Sequence, residues 1–169
     1  MRLYEFEGKH LLEKHSIPTP KGVYLNISEV GAYGADPQLE RIFEDLGGDA
    51  VVVKAQVLAG KRGKAGGIKF ARSPEELQDI VETMVGSELL GEEVTGVLIE
   101  QKADIDKEYY ISVTYDTVNR KPVFALSSEG GVDVEELARE HPEKMALRRF
   151  SPVLGLLPWV ARDAAASLG

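Results

Sequence analysis

Residues 51–71, VVVKAQVLAGKRGKAGGIKFA, constrain the fold more than any other stretch of the chain. An apolar run opens this stretch, and GIKFA, which closes it, alternates apolar and polar residues, so both flanks predict β-strands. The segment between them is rich in glycine and basic residues: Gly60, Lys61, Arg62, Gly63, Lys64, Gly66 and Gly67. The sequence therefore predicts a strand–loop–strand hairpin. Such a loop either closes over an anion such as a nucleotide phosphate or is a surface hairpin whose lysines serve solubility.

Neither of two familiar phosphate-binding loops fits this segment. A P-loop requires G-x-x-x-x-G-K-[ST] between a strand and a helix. Counted from Gly60, the second glycine falls on Ala65, and no Ser or Thr follows. The dinucleotide fingerprint G-x-G-x-x-G does not fit either. A phosphate site at this hairpin would have to be built differently.

The composition excludes several classes of protein. The formal net charge is −8 and the pI is about 5.0, which argues against general nucleic-acid binding. The basic residues 61–64 stand out because they supply local positive potential on an acidic background. Without cysteine the chain has no disulfide and no thiolate metal site. No apolar run reaches the length of a membrane span, and the N-terminus lacks a secretory signal, so we expect a cytoplasmic protein.

The order of predicted elements favours an α+β fold. Helices and strands alternate with hairpins rather than in strict βαβ order, which predicts layers with mixed sheets. Helices are predicted over residues 3–15, 37–48, 73–86, part of 129–141 and a short C-terminal stretch after Pro158. Strands are predicted over residues 22–27, 51–57, 67–71, 96–103, 109–115 and 121–127, with a loop of Gly, Ala and Asp up to residue 35.

Three charged residues stand out outside the loop. Lys54 lies within the apolar strand VVVKAQV, so its ammonium group points either to solvent or towards an anion. Glu100 follows the apolar run GVLI, and Glu108 lies eight residues on. A carboxylate at the end of a strand can accept a hydrogen bond from a ribose hydroxyl or an adenine amino group, or it can be solvated. The three histidines are predicted to be surface or half-buried residues: His10, His15 and His141.

Four stretches in order along the chain resemble one family. They are LYEFEGKHLLEKHSIPTPKG, VVVKAQVLAGKRGKAGGIK, VLIEQKADIDKEYYISV and SSEGGVDVEELAREHPE. Together they resemble the β chains of succinate–CoA ligases, which are ATP-grasp proteins of the NDP-forming acyl-CoA ligase superfamily. The resemblance implies that a nucleotide lies between two sheets under a glycine-rich hairpin lid. It also implies that the chain corresponds to the N-terminal portion of a longer subunit.

The resemblance assigns roles residue by residue. Lys54 matches a lysine that contacts nucleotide phosphates, and Lys61, Arg62 and Gly63 match the lid. Glu100 and Ala103 match positions whose backbone meets the adenine edge, and Glu108 matches the carboxylate that holds the ribose. The family usually has glycine at the position of Lys61, so this chain departs from the pattern at the lid.

The resemblance also implies a division into lobes. Residues 24–103 are expected to form the lobe that carries the lid, and residues 1–23 and 104–169 are expected to form part of a second lobe. The family's Mg²⁺ ligands and its CoA-ligase domain lie downstream of the matching region, so no metal ligand is expected here. The phosphorylated histidine belongs to the partner α chain, so none of the three histidines of this chain is assigned that role.

The implied reaction is ATP + succinate + CoA = ADP + phosphate + succinyl-CoA, through a phosphohistidine on the α chain of a heteromer. The alternatives are a β-type chain of a malate–CoA or citrate–CoA ligase, and a non-catalytic module that only binds its partner chain. The preference between ATP and GTP stays open. On its own, the chain is expected to be inactive, to bind ATP or ADP weakly without tight Mg²⁺ dependence, and to expose apolar surface that favours self-association.

Overall fold

The computed structural model describes residues 2–26, 28 and 37–168. The chain separates into two compact units, Met1–Ala103 and Asp104–Gly169. The predicted residues 29–35 of the Gly/Ala/Asp loop, and Ile27 at the end of the predicted strand, lie outside the described residues. Among the described helices, none combines the length and the apolar character that crossing a bilayer requires.

The first unit is built on a four-stranded sheet. The elements of this unit are α1 (Glu5–Lys14), β1 (Gly22–Asn26), α2 (Pro37–Asp45), β2 (Val51–Ala55), β3 (Ile68–Ala71), α3 (Pro74–Met84), β4 (Glu88–Leu89), β5 (Glu92–Glu93) and β6 (Gly96–Gln101). The strands of the sheet in spatial order are β1, β6, β2 and β3, and each neighbouring pair is antiparallel. Because β2 pairs with β3, the glycine-rich segment is the connection of a β-hairpin, as the sequence predicts.

One face of this sheet packs against α2 and α3 and forms the core of the unit. Val51, Val53 and Ala55 of β2 point into it, and alternate residues of a strand share a face. Leu77 and Val81 of α3 are fully buried on the same side. Burying an aliphatic side chain of this size stabilises a fold by about 1.5–3 kcal/mol. The alternation leaves Lys54 on the opposite face, away from the helical core.

Helix α3 begins as the sequence predicts. The Ser73 side chain accepts a hydrogen bond from the backbone N–H of Glu76 at 3.2 Å, and Pro74 occupies the first turn. The helix ends at Met84, two residues earlier than predicted, because Val85 is extended and Gly86 has a φ of 78°.

The second unit is a three-stranded antiparallel sheet. The elements are β7 (Tyr110–Asp116), β8 (Lys121–Ser127), α4 (Val134–Glu140), a 3₁₀-helix (Pro142–Lys144), β9 (Met145–Arg149) and α5 (Pro158–Ala166). Strand β8 lies between β7 and β9, and α5 packs on β9 and β8. The predicted hairpin of β7 and β8 is confirmed, with Asp116 accepting from the backbone N–H groups of Val118 and Asn119 in the turn.

Three expectations differ from the structure or are tested only in part. The described strand pairs are all antiparallel, so the sheets are not mixed in strand direction. Residues 1–23 belong to the first compact unit, where Phe6 stacks on Tyr24 with ring centroids 3.9 Å apart, and the expected division into ATP-grasp lobes stays a prediction. Exposed apolar side chains do occur on β7, where Ile111 and Val113 are 66% and 62% exposed. Self-association over them stays a prediction.

Candidate functional site

Five charged side chains meet on the face of the first sheet that carries Lys54. We call them the ion-pair cluster: Glu5, Lys9, Lys54, Arg62 and Glu100. The Nζ of Lys54 lies 3.1 Å from Oε1 of Glu5 and 2.5 Å from Oε2 of Glu100. The Nζ of Lys9 lies 3.1 Å from the same Glu5 oxygen and also pairs with Oε1 of Glu100. The guanidinium of Arg62 pairs with Oε2 of Glu5.

Regular secondary structure brings four of these side chains together. Glu5 and Lys9 are four residues apart on α1, so they share one side of the helix. On the sheet, Lys54 is in register with Leu98, and Glu100, two residues further along β6, faces the same side. Helix α1 lies over this side through the stacked rings of Phe6 and Tyr24 and a 3.2 Å hydrogen bond from the Phe6 N–H to the Gln56 side chain.

Arg62 reaches the cluster because its loop folds back onto β2. Its Nη1 donates to the carbonyl oxygen of Ala55 at 3.1 Å. The backbone N–H groups of residues 64–67 donate to carbonyl oxygens of residues 61–63, at distances of 2.9–3.2 Å. The loop is therefore a run of tight turns that satisfies much of its own backbone. Within it, Lys61 has a φ of 64°.

Burial sets the electrostatics of the ion-pair cluster. Glu100 is 2% exposed, so its charge is removed from water and depends on the two lysine ammonium groups that contact it. Desolvation lowers the pKa of Lys9 below its ordinary value, and the hydrogen bond to Glu100 opposes that shift. Desolvation also lowers the pKa of Arg62, again opposed by Glu100. With three cations and two carboxylates, the cluster has a formal charge of +1 and can attract an anion.

A cavity of about 640 Å³ lies between α1 and the same face of the sheet. Its walls combine apolar groups, such as Phe6, Tyr24 and Leu98, with Lys9 and Glu100 of the ion-pair cluster. Ligand pockets are mostly apolar with a few polar groups, and about 300–1,000 Å³ is their usual size. A group as large as a purine ring fits this volume, next to the charges that an attached phosphate would need.

The structure brings some of the predicted site residues together. Lys54, Arg62 and Glu100 belong to one cluster, and Lys61 and Gly63 flank Arg62 in the same loop. Ala103 is exposed and follows β6 as the last residue of the first unit. Residue Glu100 is in register with residues on both neighbouring strands, so its backbone lies inside the sheet, and the expected contact of that backbone with adenine stays a prediction.

Glu108 belongs to the second unit. Its carbonyl oxygen accepts from the N–H of Gly130 at 3.0 Å, and its side chain lies against Gly131. A Cβ added at Gly130 would stand 2.6 Å from the Cβ of Glu108, so this close approach requires glycine. A second cavity, about 460 Å³, is lined by residues 107–109 and 128–130, and Glu108 is exposed at it.

Sequence reasoning missed Glu5 and Lys9. Their spacing in EFEGK is that of an ordinary helical ion pair, which carries no functional signal by itself. These two residues belong to the site because Glu5 contacts Lys54, 49 positions away, and Lys9 contacts Glu100, 91 positions away. Contacts between residues so far apart in sequence cannot be predicted from a local pattern.

A metal site is not found in the described part of the chain. No group of three or more His, Cys, Asp or Glu residues there could hold a metal ion. His10 and His141 each lie near a glutamate of their own local segment, Glu13 at 3.9 Å and Glu143 at 3.3 Å, on exposed surface. These surroundings agree with the prediction that the histidines are surface residues.

Comparison with known proteins identifies the family. The family described as "ATP-grasp domain" matches residues 2–169. The chain belongs to the ATP-grasp family. The α+β fold and the family resemblance inferred from the sequence are thereby confirmed.

The relatives of this ATP-grasp chain share one name. This chain is 39% identical over 176 residues to the ADP-forming succinate–CoA ligase subunit β of Pelodictyon phaeoclathratiforme, and the match covers 100% of this chain and 44% of that protein. It is 40% identical to the subunit of the same name from Chlorobaculum tepidum, with the same coverage. It is 38% identical to the subunit of that name from Aquifex aeolicus, over 99% of this chain and 43% of the relative. The chain thus spans less than half the length of these relatives.

Solved structures support the fold of this ATP-grasp chain. The dinucleotide-forming acetyl-coenzyme A synthetase 1 of Ca. Korarchaeum cryptofilum aligns with a TM-score of 0.68 at 22% identity, over 98% of this chain and 65% of that one. The ATP citrate lyase of Methanothrix soehngenii aligns with a TM-score of 0.61 at 19% identity, over 93% of this chain and 38% of that one. At these identities the likeness concerns the fold alone.

Proposed function

We propose that this ATP-grasp chain is the nucleotide-binding part of an ADP-forming succinate–CoA ligase β-type subunit, acting in the cytoplasm. One observation carries the proposal. Lys54 on β2 and Arg62 in the glycine-rich loop converge on a single carboxylate, Glu5. Two cations from a strand and from the loop that follows it are thus already aimed at one point, as a phosphate site requires.

The parts of a nucleotide divide among the residues as follows. Lys54 and Arg62 would hold phosphate oxygens, with Lys54 as a compact point charge and Arg62 as a planar fork of donors. Lys61 and Gly63 belong to the loop that would close over the phosphates. The cavity beside Phe6 and Leu98 offers apolar walls for the base. The adenine contact at Ala103 and the ribose contact at Glu108 rest on the family resemblance.

The described residues do not fit a metal site, so no step is assigned to Mg²⁺ in this chain. We infer that any Mg²⁺ the reaction uses is held by other parts of the complete subunit. Phosphoryl transfer depends mostly on positioning and on neutralising charge. The role of this chain is to supply those two things for the nucleotide, while a histidine of a partner α chain receives the phosphoryl group.

We propose succinate as the acid substrate because relatives that are 38–40% identical to this chain are succinate–CoA ligase subunits by name. The likeness to an ATP citrate lyase is at 19% identity, so it does not favour citrate. Nothing in the ion-pair cluster distinguishes ATP from GTP.

The test is the activity of the complete subunit, containing this sequence, assembled with its α chain. CoA- and nucleotide-dependent phosphate release would be measured with succinate, malate and citrate, and we expect succinate to be preferred. Lys54→Ala should lower activity or nucleotide affinity by about tenfold to a hundredfold, since a hydrogen bond to a charged group contributes about 1.5–3 kcal/mol.

Lys69→Ala is the matched control, because Lys69 is an exposed lysine on the neighbouring strand β3. It should retain activity. Full activity of the Lys54→Ala enzyme, or turnover of malate or citrate in preference to succinate, would contradict the proposal.

A further inference from the structure

Glu5 of α1 contacts every cation of the ion-pair cluster. Its Oε1 lies 3.1 Å from Nζ of both Lys9 and Lys54, and its Oε2 pairs with the guanidinium of Arg62. The two residues to which the proposed function gives nucleotide phosphates are therefore both held by one carboxylate of the protein itself. A carboxylate and a phosphate present the same kind of acceptor oxygens to Lys and Arg.

The two carboxylates of the ion-pair cluster differ in how easily an anion could displace them. Glu100 is 2% exposed and is held by both lysines, so releasing its partners would leave a buried charge unpaired. The Glu5 side chain is 23% exposed and stands on the first turn of a helix, although its Oε2 is buried against Arg62, so moving it leaves a less buried charge unpaired than moving Glu100 does. Glu5 is the replaceable member of the pair.

The contact between Glu5 and Arg62 also joins two separate segments. Arg62 belongs to the loop whose backbone forms tight turns between β2 and β3, and Glu5 belongs to α1. An ion pair between them holds the loop down on the helix. The side chain of Arg62 also donates to the carbonyl oxygen of Ala55, so the ion pair adds a link to α1 beyond the loop's contacts with its own strand.

We propose that Glu5 is a built-in latch: its carboxylate occupies Lys54 and Arg62 in the absence of nucleotide, holds residues 60–67 closed on α1, and is displaced by the nucleotide's phosphates. The displacement half rests on the proposed function, whereas the loop-holding half does not. The latch sets affinity through charge. The ion-pair cluster has a formal charge of +1 with Glu5 ionised, and neutralising Glu5 raises it to +2.

The experiment uses Glu5→Gln, which keeps the size of the side chain and removes its charge. Glu44→Gln is the control, because it makes the same change in net charge at an exposed position on α2 outside the ion-pair cluster. Binding of ADP and of inorganic tripolyphosphate is measured by calorimetry. Amide hydrogen exchange is measured for residues 61–67 and for β2 and β6.

We expect Glu5→Gln to bind both ligands about tenfold more tightly than the unchanged chain, as removal of a competing charge predicts. Exchange of the loop amides should accelerate by about the same factor, with β2 and β6 unaffected. In an Arg62→Gln background, Glu5→Gln should accelerate loop exchange no further, because the partner is already gone.

The outcomes separate the latch from the proposed function. If the chain and all its variants bind neither ligand, the proposed function and the displacement half are both overturned, and loop exchange decides the loop-holding half. If the unchanged chain binds ADP and Glu5→Gln binds it equally or more weakly, the displacement half is overturned. If loop exchange is unchanged in Glu5→Gln, or accelerates equally without Arg62, the loop-holding half is overturned. Far-UV circular dichroism checks that each variant is folded.

Discussion

Lys61 shows at the scale of one residue why its position favours glycine. Its φ of 64° lies in the left-handed region, which costs a residue with a Cβ about 1–2 kcal/mol. Glycine avoids that strain but loses about 0.5–1 kcal/mol through its freedom in the unfolded chain. Lys61→Gly should therefore raise the free energy of unfolding by about 0.5–1 kcal/mol.

Urea unfolding followed by far-UV circular dichroism measures this change, with Lys64→Gly as the control. Lys64 lies in the same loop but is not among the residues with a positive φ, so Lys64→Gly should not raise the free energy of unfolding. Equal loss of stability in the two variants would show that the backbone of Lys61 is not strained.

Asp116 makes the stability of the second unit depend on pH. Its carboxylate accepts from the backbone N–H of Asn119 at 2.9 Å and from that residue's side chain at 2.7 Å, and Arg149 lies 2.9 Å away. These contacts hold the pKa of Asp116 well below its ordinary value of 3.8. A carboxyl whose pKa falls on folding stabilises the fold above its ordinary value, and that contribution is lost as pH falls through the folded-state pKa.

The stability of the second unit should therefore fall as the pH is lowered from 5 through about 4 and below. Asp116→Asn should flatten this decline, whereas Asp106→Asn, in an exposed loop of the same unit, should not. Fluorescence of Trp159, the single tryptophan of the chain and part of α5, reports unfolding of this unit. If the stability of Asp116→Asn falls with pH as steeply as that of the unchanged chain, Asp116 is not the source of the pH dependence.

At the scale of elements, the connection between β2 and β3 depends on one glycine for packing. A Cβ at Gly67 would lie 2.5 Å from Cδ2 of Leu89 and 3.1 Å from the carbonyl oxygen of Arg62. The leucine can move, but the carbonyl belongs to the backbone of the loop. Gly67→Ala should thus destabilise the first unit by about 1–3 kcal/mol, the usual effect of overpacking.

Gly60→Ala is the matched control in the same loop, because a Cβ there meets nothing within 4 Å. It should leave stability unchanged or raise it slightly by restricting the unfolded chain. Chemical unfolding of both variants gives the comparison. Equal stabilities would mean that the loop does not pack on Leu89 as described.

Patterns of local sequence predicted most of the elements but not all. The cap at Ser73 and the alternation in VVVKAQV are local signals, and both the helix and the strand are present. Strand β9 was missed because MALRR has no alternating pattern bounded by turn residues, and it forms only by pairing with β8. The strands β4 and β5 are two residues each, too short for any periodicity.

The candidate site was predictable only in part, because some of its residues are marked by local sequence and others only by long-range contacts. Lys54 is marked by its place in an apolar strand, and Arg62 by the glycines around it. Glu5 gives no such sign, because its role depends on contacts with Lys54 and Arg62 that only the folded chain creates. The sequence marks Glu100 as a carboxylate at the end of a strand, and only the fold shows that its side chain is buried against two lysines.

At the scale of the whole molecule, the described residues supply part of what the proposed reaction needs. The described residues contain the two cations to which the proposed function assigns phosphates, Lys54 and Arg62, but no metal cluster. We therefore expect ADP to bind weakly, with an affinity that chelation of Mg²⁺ does not change. Since the chain spans less than half the length of its relatives, the acid and CoA chemistry of the proposed ligase is not expected from it.

The most direct test of the central claim, that the first unit binds nucleotide phosphates through Lys54 and the glycine-rich loop, is an ADP titration of the chain followed by amide chemical shifts. At 18.5 kDa the protein is small enough for such spectra. We expect weak binding with chemical-shift changes centred on residues 54–67 and α1. These changes should be unaffected by EDTA and strongly reduced in Lys54→Ala. Shifts confined to other parts of the chain, no shifts at all, or sub-micromolar binding that strictly requires Mg²⁺ would contradict the central claim.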